Sequence, residues 1–551
     1  MDISTAWVEP PPQVGGLDHL AVQAPCINIY GKMLPGITNV TDRARYYSFY
    51  PWLIWSFDKL GFTRYDNEFV ERFRRADVLF TLIAERHAVV SDDRHDDHAA
   101  ATVGSDTLRR VVATLGAGSS VRLSDYSLRE GAKSRYFKNK LGGLGQYYLG
   151  VLRELTILDG DASKGIKYTR QVGQLVAESI DQGINGDLFM SAVDADLVTP
   201  EQLDSLKGLC PCQLKNNQVE QDVLGKLFFV RDLFYDLEEL PRRRTLQSIL
   251  SLSSLLDEHE LELNEPNFRG CIYTGHLPGG DEWPIPETLQ GNRQKWAAYA
   301  RNELLSVAVQ GCFHAVLDAY EASGLRLHTG EQIARWYITQ PEAEEALRVF
   351  GRGESFSDKV KTADDWLAEF GVWSDPDHEV QLAEKVASST SSRFEKSSAS
   401  RTSILTASLK VLLALAHRNT DNPYGELVFN DGYFGYYPIN LRSFGFHLNS
   451  TWRDLDIEEF LTWILTHWGI DIHLRVALRK LRGQSQSTFR IRPSDRGLEV
   501  TSVPAAVHTR PRFIQAVRVL KDIGALEESS DTGRWRPSSF GKDMMELGDA
   551  P

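Results

Sequence analysis

Five cysteines are the residues of this chain whose type most directly offers metal chemistry. Four ligands of the kind that zinc prefers are present if Cys210 and Cys212 combine with Cys271 and His276. The spacing is not that of a familiar zinc motif, because about sixty residues separate the two halves. The sequence therefore favours unpaired thiols in a reducing cytoplasm, with zinc at these four residues as the open alternative. The full set is Cys26, Cys210, Cys212, Cys271 and Cys312.

A second group with metal-ligand character lies around the segment SDDRHDDHAAATVGSDT, residues 91–107. Acidic and polar residues without an apolar period are typical of a solvated loop, so this composition predicts a loop rather than a metal site. We accordingly predict no bound metal and no other cofactor. The side chains concerned are His87, His95, His98, Asp92, Asp93, Asp96 and Asp97.

Catalytic signatures are weak. The stretch DPDHEVQ, residues 375–381, hints at a metal nuclease, but such sites need an acid followed by E-x-K on adjacent strands, and Gln381 stands where the lysine is required. The chain also has no G-x-S-x-G, H-E-x-x-H, Walker A or dinucleotide-binding motif. A non-catalytic protein is the favoured interpretation, and a metal nuclease with a degenerate motif is an alternative.

Basic residues are concentrated in two segments, although the net charge of the chain is −14. Between Arg475 and Lys521 only Asp495 and Glu499 oppose eleven basic residues, and no acidic residue lies between Ala132 and Glu154. Neutralised phosphates release counterions, so this segregation predicts a surface for duplex DNA. A docking face for an acidic protein is the alternative. The predicted DNA-binding residues are Lys133, Arg135, Lys138, Lys140, Lys164, Lys167, Arg475, Arg479, Lys480, Arg482, Arg510, Arg512, Arg518, Arg534 and Arg536.

The elements that must position these basic residues occur twice. The 28 residues from Val151 (VLRELTILDGDASKGIKYTRQVGQLVAE) align without a gap on those from Val519 (VLKDIGALEESSDTGRWRPSSFGKDMME). In both, an amphipathic helix leads to a polar, Gly-containing turn and a closing helix. With the preceding helices this order predicts two winged helix-turn-helix domains. A chance likeness between amphipathic helices is the alternative.

The N-terminal stretch TDRARYYSFYPWLIWSF, residues 41–57, predicts a buried helix. Thr41 is a suitable N-cap, and apolar side chains cover every face, which is typical of a core helix. Pro51 predicts a kink or break. Arg43 and Arg45 oppose the helix dipole at the first turn, so each needs a carboxylate within the fold or a phosphate outside it. Base stacking by the aromatic rings is the alternative.

The whole chain is predicted to be a multi-domain protein, mainly α-helical with small β wings. Its length of 551 residues and its 42% hydrophobic content are those of a globular protein, without an apolar run long enough to cross a membrane. We predict an N-terminal helical domain (1–106), a winged domain (107–185), a mixed helical region (186–293), a helical domain with a Ser-rich loop at 388–403 (294–420), and a basic region with the second winged domain (421–551).

The phrase PGITNVTDRARYYSFYPWL, followed by a winged unit that ends in YTRQVGQLVAES, resembles a family of bacterial proteins of about this length. These proteins carry no enzyme signature and occur among anti-phage defence genes beside helicases or nucleases. The resemblance covers mainly residues 17–60 and 140–180 and supplies no catalytic residues. It implies a cytoplasmic subunit of a multi-protein defence system. We therefore expect a DNA-binding subunit that recruits a helicase or nuclease, with a protein-binding scaffold as an alternative and no membrane contact.

Overall fold

The chain forms two compact units, each assembled from stretches far apart in sequence. The computed structural model describes residues 18–61, 67–91, 98–116, 118–127, 139–161, 165–391, 397–421, 437–481 and 487–548. Unit 1 comprises Met1–Gly31, Pro266–Pro286 and Gln290–Pro511, and unit 2 comprises Lys32–Glu265, Glu287–Leu289 and Arg512–Pro551. Unit 1 thus joins the N-terminal stretch to the middle of the chain, and unit 2 joins residues 32–265 to the C-terminal stretch.

The described residues are mainly α-helical, as predicted, with four two-stranded antiparallel sheets. Unit 2 contains α2 (Tyr46–Lys59), α3 (Asn67–Val90), α4 (Ser105–Ala113), α5 (Ser124–Ser127), α6 (Leu149–Glu154), α7 (Val172–Asp181), α8 (Gly186–Ala195), α9 (Pro200–Ser205), α10 (Gln218–Phe228), α11 (Leu240–Glu258), α22 (Phe513–Asp522) and α23 (Ser539–Met545). Its 3₁₀ turns are Lys207–Leu209, Pro211–Asn216 and Asp232–Phe234, and a π-helical segment, Leu144–Tyr148, precedes α6.

The strands of unit 2 form three of the small sheets. Strand β1 (Val121–Arg122) pairs with β4 (Leu197–Val198), β2 (Leu158–Asp161) with β3 (Gly165–Tyr168), and β7 (Leu526–Glu528) with β8 (Trp535–Pro537). The last two pairs are hairpins between consecutive strands, each following one helix and leading into the next.

Unit 1 is built around long helices. It contains all or most of α1 (Gln23–Met33), α12 (Glu265–Thr274), α13 (Glu287–Ser323), α14 (Gly330–Tyr337), α15 (Pro341–Phe350), α16 (Phe356–Lys361), α17 (Glu379–Ser391), α18 (Ser398–Asp421), α19 (Leu441–Asn449), α20 (Ile457–Trp463) and α21 (Ile472–Leu481). A 3₁₀ turn (Ala363–Asp365), a π-helical segment (Ile464–Asp471) and the hairpin of β5 (Ile491–Ser494) with β6 (Gly497–Val500) complete it.

The Ser-rich stretch 388–403, predicted as a loop, is helical at both of its described ends. Helix α17 continues to Ser391 and α18 begins at Ser398, with residues 392–396 outside the described ranges. Helix α18 is also the one described helix that is long and apolar enough to cross a membrane by length and composition. Most of its apolar window is buried within the fold, and a core helix passes the same test.

Helix α2 is the centre of the unit 2 core, as its sequence predicts. Every residue from Tyr46 to Phe57 is buried, and its rings pack against Phe80, Tyr148 and Phe189 from other elements. Two details differ from the prediction. The helix begins at Tyr46 with Arg45 at the N-cap position, and the Thr41 hydroxyl accepts a hydrogen bond from the Thr38 N–H instead of capping the helix. The helix also continues through Pro51 without a break, so only the kink remains of the predicted kink or break.

Candidate functional site

The first of the two similar segments forms a helix, a hairpin and a second helix, which we call hairpin unit A (α6, β2, β3 and α7). The chain leaves α6 through a bond from the Ile157 N–H to the Leu152 carbonyl, 2.9 Å long. Strand β3 returns so that Thr169 Oγ1 accepts the Gly173 N–H at 2.8 Å, at the start of α7. These bonds hold both helices against the base of the hairpin.

The C-terminal segment forms hairpin unit B (α22, β7, β8 and α23) with the same construction. The Ala525 N–H donates to the Leu520 carbonyl at 2.8 Å, and Ser538 Oγ accepts the Gly541 N–H at 3.0 Å. The pairing differs in one respect. In hairpin unit A, Asp159 lies opposite Lys167. The ungapped alignment matches these two residues with Glu527 and Trp535, but in hairpin unit B Glu527 lies opposite Arg536, one residue later.

The closing glycines explain why both segments share a residue that has no side chain. A Cβ added at Gly173 would lie 2.1 Å from the Ile157 carbonyl oxygen, and one added at Gly541 would lie 2.0 Å from the Ala525 carbonyl oxygen. Either contact is far inside van der Waals distance and involves backbone. Only glycine lets the closing helix approach the hairpin base this closely. The winged helix-turn-helix assignment itself stays a prediction.

The predicted DNA-binding residues of unit 2 fall into two groups. Lys140 and Lys167 have exposed side chains, Arg534 is partly exposed, and Arg536 is exposed beside Glu527 at 3.1 Å. The other two described residues, Arg512 and Arg518, have partners within the fold. Of the predicted residues of this unit with exposed or partly exposed side chains, Lys167, Arg534 and Arg536 therefore lie in the two hairpin units.

Arg512 and Arg518, which we predicted to contact DNA, are engaged inside unit 2. Arg512 Nη1 donates to the Leu34 carbonyl at 3.0 Å and to the Ile37 carbonyl at 2.5 Å. Arg518 Nη1 forms an ion pair with Asp42 at 2.5 Å. A phosphate would have to displace these partners, so neither residue is available to a DNA backbone without losing a contact of the fold.

In unit 1, Arg475 and Arg510 are exposed and Arg479 is partly exposed. Lys480 differs from its neighbours because it is buried, and its ammonium donates to the Asp18 carbonyl at 2.6 Å. A buried ammonium is not accessible to a DNA phosphate, so Lys480 is not among the residues that we propose to contact DNA. The predicted residues outside the described ranges are Lys133, Arg135, Lys138, Lys164 and Arg482.

The two arginines that precede α2 have carboxylate partners within unit 2. Arg43 donates to Asp522 of α22 through Nε at 3.0 Å and Nη2 at 2.7 Å. Arg45 donates to Glu220 of α10 through Nε at 3.2 Å and Nη2 at 2.6 Å. All four side chains are nearly or fully buried. The aromatic helix is therefore a core helix with internally paired arginines, and its rings offer no stacking surface.

The acidic motif of the nuclease alternative lies at the start of helix α17 and not on adjacent strands. The Glu379 carboxylate is fully buried and accepts hydrogen bonds from Arg418 Nε at 2.7 Å and from the Tyr273 hydroxyl at 2.8 Å. The neighbouring Arg418 guanidinium and His378 oppose the effect of burial and lower the pKa of Glu379. This carboxylate is committed to the fold and could bind a metal only by losing those partners.

The structure brings together two residues from each of the two metal-ligand sets considered from the sequence. Cys271 and His276 belong to unit 1, and burial raises the pKa of the Cys271 thiol. Cys210 and Cys212 belong to unit 2, where they lie beside His87 and His98. Asp92, Asp93, His95, Asp96 and Asp97 are outside the described ranges. Each sequence hypothesis thus contained two residues of the cluster formed by His87, His98, Cys210 and Cys212.

Hydrogen bonding distinguishes the two thiols of that cluster. Burial raises the pKa of Cys210. The Cys210 thiol and then the imidazoles of His87 and His98 bond to Cys212 Sγ and lower the pKa of Cys212.

Comparison with known proteins gives no family or fold name. No family model, no curated protein and no solved structure matches this chain.

Proposed function

We propose that this chain is a non-catalytic, duplex-DNA-binding subunit of a cytoplasmic bacterial anti-phage defence or DNA-processing system, and that it recruits a partner helicase or nuclease to DNA. The observation that carries the proposal is the repeated hairpin unit with outward-facing basic residues. The defence context rests on the family resemblance of the N-terminal phrase.

A short hairpin between two helices suits contact with a DNA backbone, because phosphate contacts need projecting cationic side chains rather than a deep pocket. In hairpin unit A, Lys167 on β3 and Arg170 just after it are exposed. In hairpin unit B, Arg534 precedes β8 and Arg536 lies on it. Each basic group could neutralise a phosphate and release a counterion.

The cross-strand carboxylate of Glu527 allows a test in which DNA binding should become stronger as well as one in which it should become weaker. Arg536 Nε lies 3.1 Å from a Glu527 carboxylate oxygen, and both side chains are exposed. An exposed pair of this kind contributes little to stability, about 0–1 kcal/mol, so a phosphate could replace Glu527 at small cost. Removing the carboxylate should therefore leave the fold intact and strengthen DNA binding.

The experiment is fluorescence anisotropy of a labelled duplex titrated with the full chain at several salt concentrations. Arg534→Ala combined with Arg536→Ala should weaken binding and flatten the slope of log affinity against log salt by up to about two units. Glu527→Gln should strengthen binding. The matched control is Lys226→Ala, which removes a cation of unit 2 that pairs with Asp222 and Asp232 on α10 and the following turn.

An unchanged salt slope in the Arg534/Arg536 variant, or an equal loss in Lys226→Ala, would contradict the assignment of hairpin unit B as the DNA contact.

A protein-binding scaffold is the second candidate, and α21 is the feature that favours it. Leu478 and Leu481 are 54% and 46% exposed on the helix that also carries Arg475 and Arg479. Apolar side chains beside cations fit an acidic amphipathic partner better than a phosphate backbone. Leu478→Ser with Leu481→Ser should reduce co-purification of the partner subunit while leaving DNA affinity unchanged. Loss of DNA affinity in that variant would count against the scaffold role.

A further inference from the structure

Four metal-ligating side chains meet in the interior of unit 2. Cys212 Sγ lies 3.1 Å from His98 Nδ1, 3.3 Å from His87 Nδ1 and 3.4 Å from Cys210 Sγ. Cys210 Sγ lies 3.8 Å from His98 Nδ1, and all four ligand atoms fall within 4.8 Å of one another. None of the four side chains is more than 8% exposed.

These separations match the edges of a zinc tetrahedron. With Zn–S bonds of about 2.3 Å and Zn–N bonds of about 2.0–2.1 Å, tetrahedral geometry places neighbouring ligand atoms about 3.3–3.8 Å apart. The four distances given above run from 3.1 to 3.8 Å. These are four of the six separations, and the other two are at most 4.8 Å, so one ion at the centre would reach all four atoms after a modest movement of the side chains.

The local backbone presents the ligands in two pairs. His87 lies in the last turn of α3, and His98 begins the next described stretch. Cys210 and Cys212 flank Pro211 where one 3₁₀ turn ends and the next begins. Proline at the first position of that second turn restricts the backbone between the cysteines, so both thiols are held toward the same point.

Each of the two buried arginines before α2 donates hydrogen bonds to backbone carbonyls at or beside one ligand residue. Arg43 Nη1 donates to the His98 carbonyl at 3.5 Å and to the Ala100 carbonyl at 2.9 Å. Arg45 Nη1 donates to the Cys210 carbonyl at 2.6 Å and also to the Gly208 carbonyl. Partners of this kind, one shell outside the ligands, fix ligand orientation in metal sites. Here they join both ligand-bearing loops to the start of the core helix.

We propose that His87 Nδ1, His98 Nδ1, Cys210 Sγ and Cys212 Sγ bind one Zn²⁺ ion in a closed, structural site. Zinc binds the cysteines as thiolates and the histidines as neutral imidazoles, so binding releases to solvent the protons that these four groups carry, with no change of oxidation state. Two thiolates balance the charge of the ion, so the complex is neutral overall. Neutrality suits its position between the Arg43–Asp522 and Arg45–Glu220 pairs, each of which is also neutral.

The geometry separates this site from other uses of the same residues. A two-iron cluster with two cysteine and two histidine ligands binds the cysteines on one iron and the histidines on the other. Cys212 instead lies within 3.3 Å of both imidazoles, as a single ion requires. The sulfur–sulfur separation of 3.4 Å is that of two thiols or thiolates and not of a disulfide bond. Four protein ligands leave no open position for substrate, so the role is structural.

The experiment is metal analysis of the full-length protein, purified without chelator under reducing conditions, by inductively coupled plasma mass spectrometry. We expect one zinc per chain. Cys212→Ser should lose that zinc. Cys271→Ser, which alters a buried cysteine of unit 1, should retain it and serves as the matched control.

A ligand swap keeps the test informative if a serine variant fails to fold. Cys210→His should retain one metal ion, and cobalt substituted for zinc should show the absorption of tetrahedral Co²⁺ in both proteins. The thiolate-to-cobalt charge-transfer band should be about half as strong in the variant, because one thiolate remains. A wild-type chain that contains no zinc and takes up neither zinc nor cobalt would overturn the proposal. Iron with acid-labile sulfide would also overturn it.

Discussion

The replacement Arg45→Met tests how strongly the start of α2 depends on its buried ion pair. Arg45 and Glu220 are both fully buried, and their closest contact is 2.6 Å. Removing the guanidinium leaves a buried carboxylate whose remaining partners are Ser48 Oγ at 2.6 Å and Asn217 Nδ2 at 3.2 Å. The substitution also removes the hydrogen-bond donor of the Gly208 and Cys210 carbonyls. Breaking a buried pair in this way costs about 3–5 kcal/mol.

Hydrogen exchange by mass spectrometry on peptides that cover α2 measures this cost within unit 2. Arg45→Met should lower the free energy of opening of α2 by about 3–5 kcal/mol. Arg122→Met is the control, because Arg122 is 63% exposed and lies 3.7 Å from Asp196, so its loss should cost at most about 1 kcal/mol. Adding Glu220→Gln to Arg45→Met removes the uncompensated charge and should restore roughly 2 kcal/mol.

The same variant connects stability to the proposed zinc site. Without Arg45 the Cys210 carbonyl loses its donor at 2.6 Å, so a chelator should extract zinc more readily, by about 10–100-fold in apparent affinity. An opening free energy in Arg45→Met no lower than that in Arg122→Met would refute the reasoning. Equal zinc retention in both would refute the link between Arg45 and the ligand loops.

Two further predictions concern close packing and acid stability. Gly173→Ala and Gly541→Ala should each destabilise unit 2 by about 1–3 kcal/mol because the new methyl meets a backbone carbonyl. The control is Gly150→Ala on α6 of hairpin unit A, where an added Cβ would meet open space. This substitution should leave stability unchanged or raise it by up to about 1 kcal/mol in thermal melts. Burial lowers the pKa of His473 to about 4, so the folded state resists a proton that the unfolded state accepts near pH 6.5. Stability of unit 1 should therefore fall by up to about 3 kcal/mol between pH 6.5 and 4, and His473→Gln should flatten that fall in urea titrations.

Local patterns in the sequence predict a substantial part of this fold. The aromatic run around Tyr50 predicts a buried helix because its apolar residues cover every face, and that burial is confirmed. The ungapped match between Val151 and Val519 predicts two similar units because the same glycines recur at the same offsets. The one-residue shift in hairpin pairing was not predictable, since it depends on turn geometry that the alignment does not contain.

The candidate metal site could be predicted only in halves. His87 and His98 are eleven positions apart, and Cys210 and Cys212 are two apart, but more than a hundred residues separate the pairs. The packing of α3 against α9 and against the 3₁₀ turn at Lys207–Leu209, just before Cys210, brings His87 close to the cysteines. The charges of Arg43 and Arg45 predicted carboxylate partners within the fold or phosphates outside it. No local pattern identifies Asp522 or Glu220 as those partners, because they lie 479 and 175 positions away in the sequence.

The most direct test of the proposed function is the binding of the wild-type full chain to duplex DNA, compared with single-stranded DNA and with heparin of similar charge density. We expect duplex binding at low salt, with a slope of log affinity against log salt of about −2 or steeper, and a preference for the duplex over both competitors. Equal binding to all three polyanions would indicate a non-specific basic surface. No duplex binding at low salt would contradict the DNA-binding account and favour the protein scaffold.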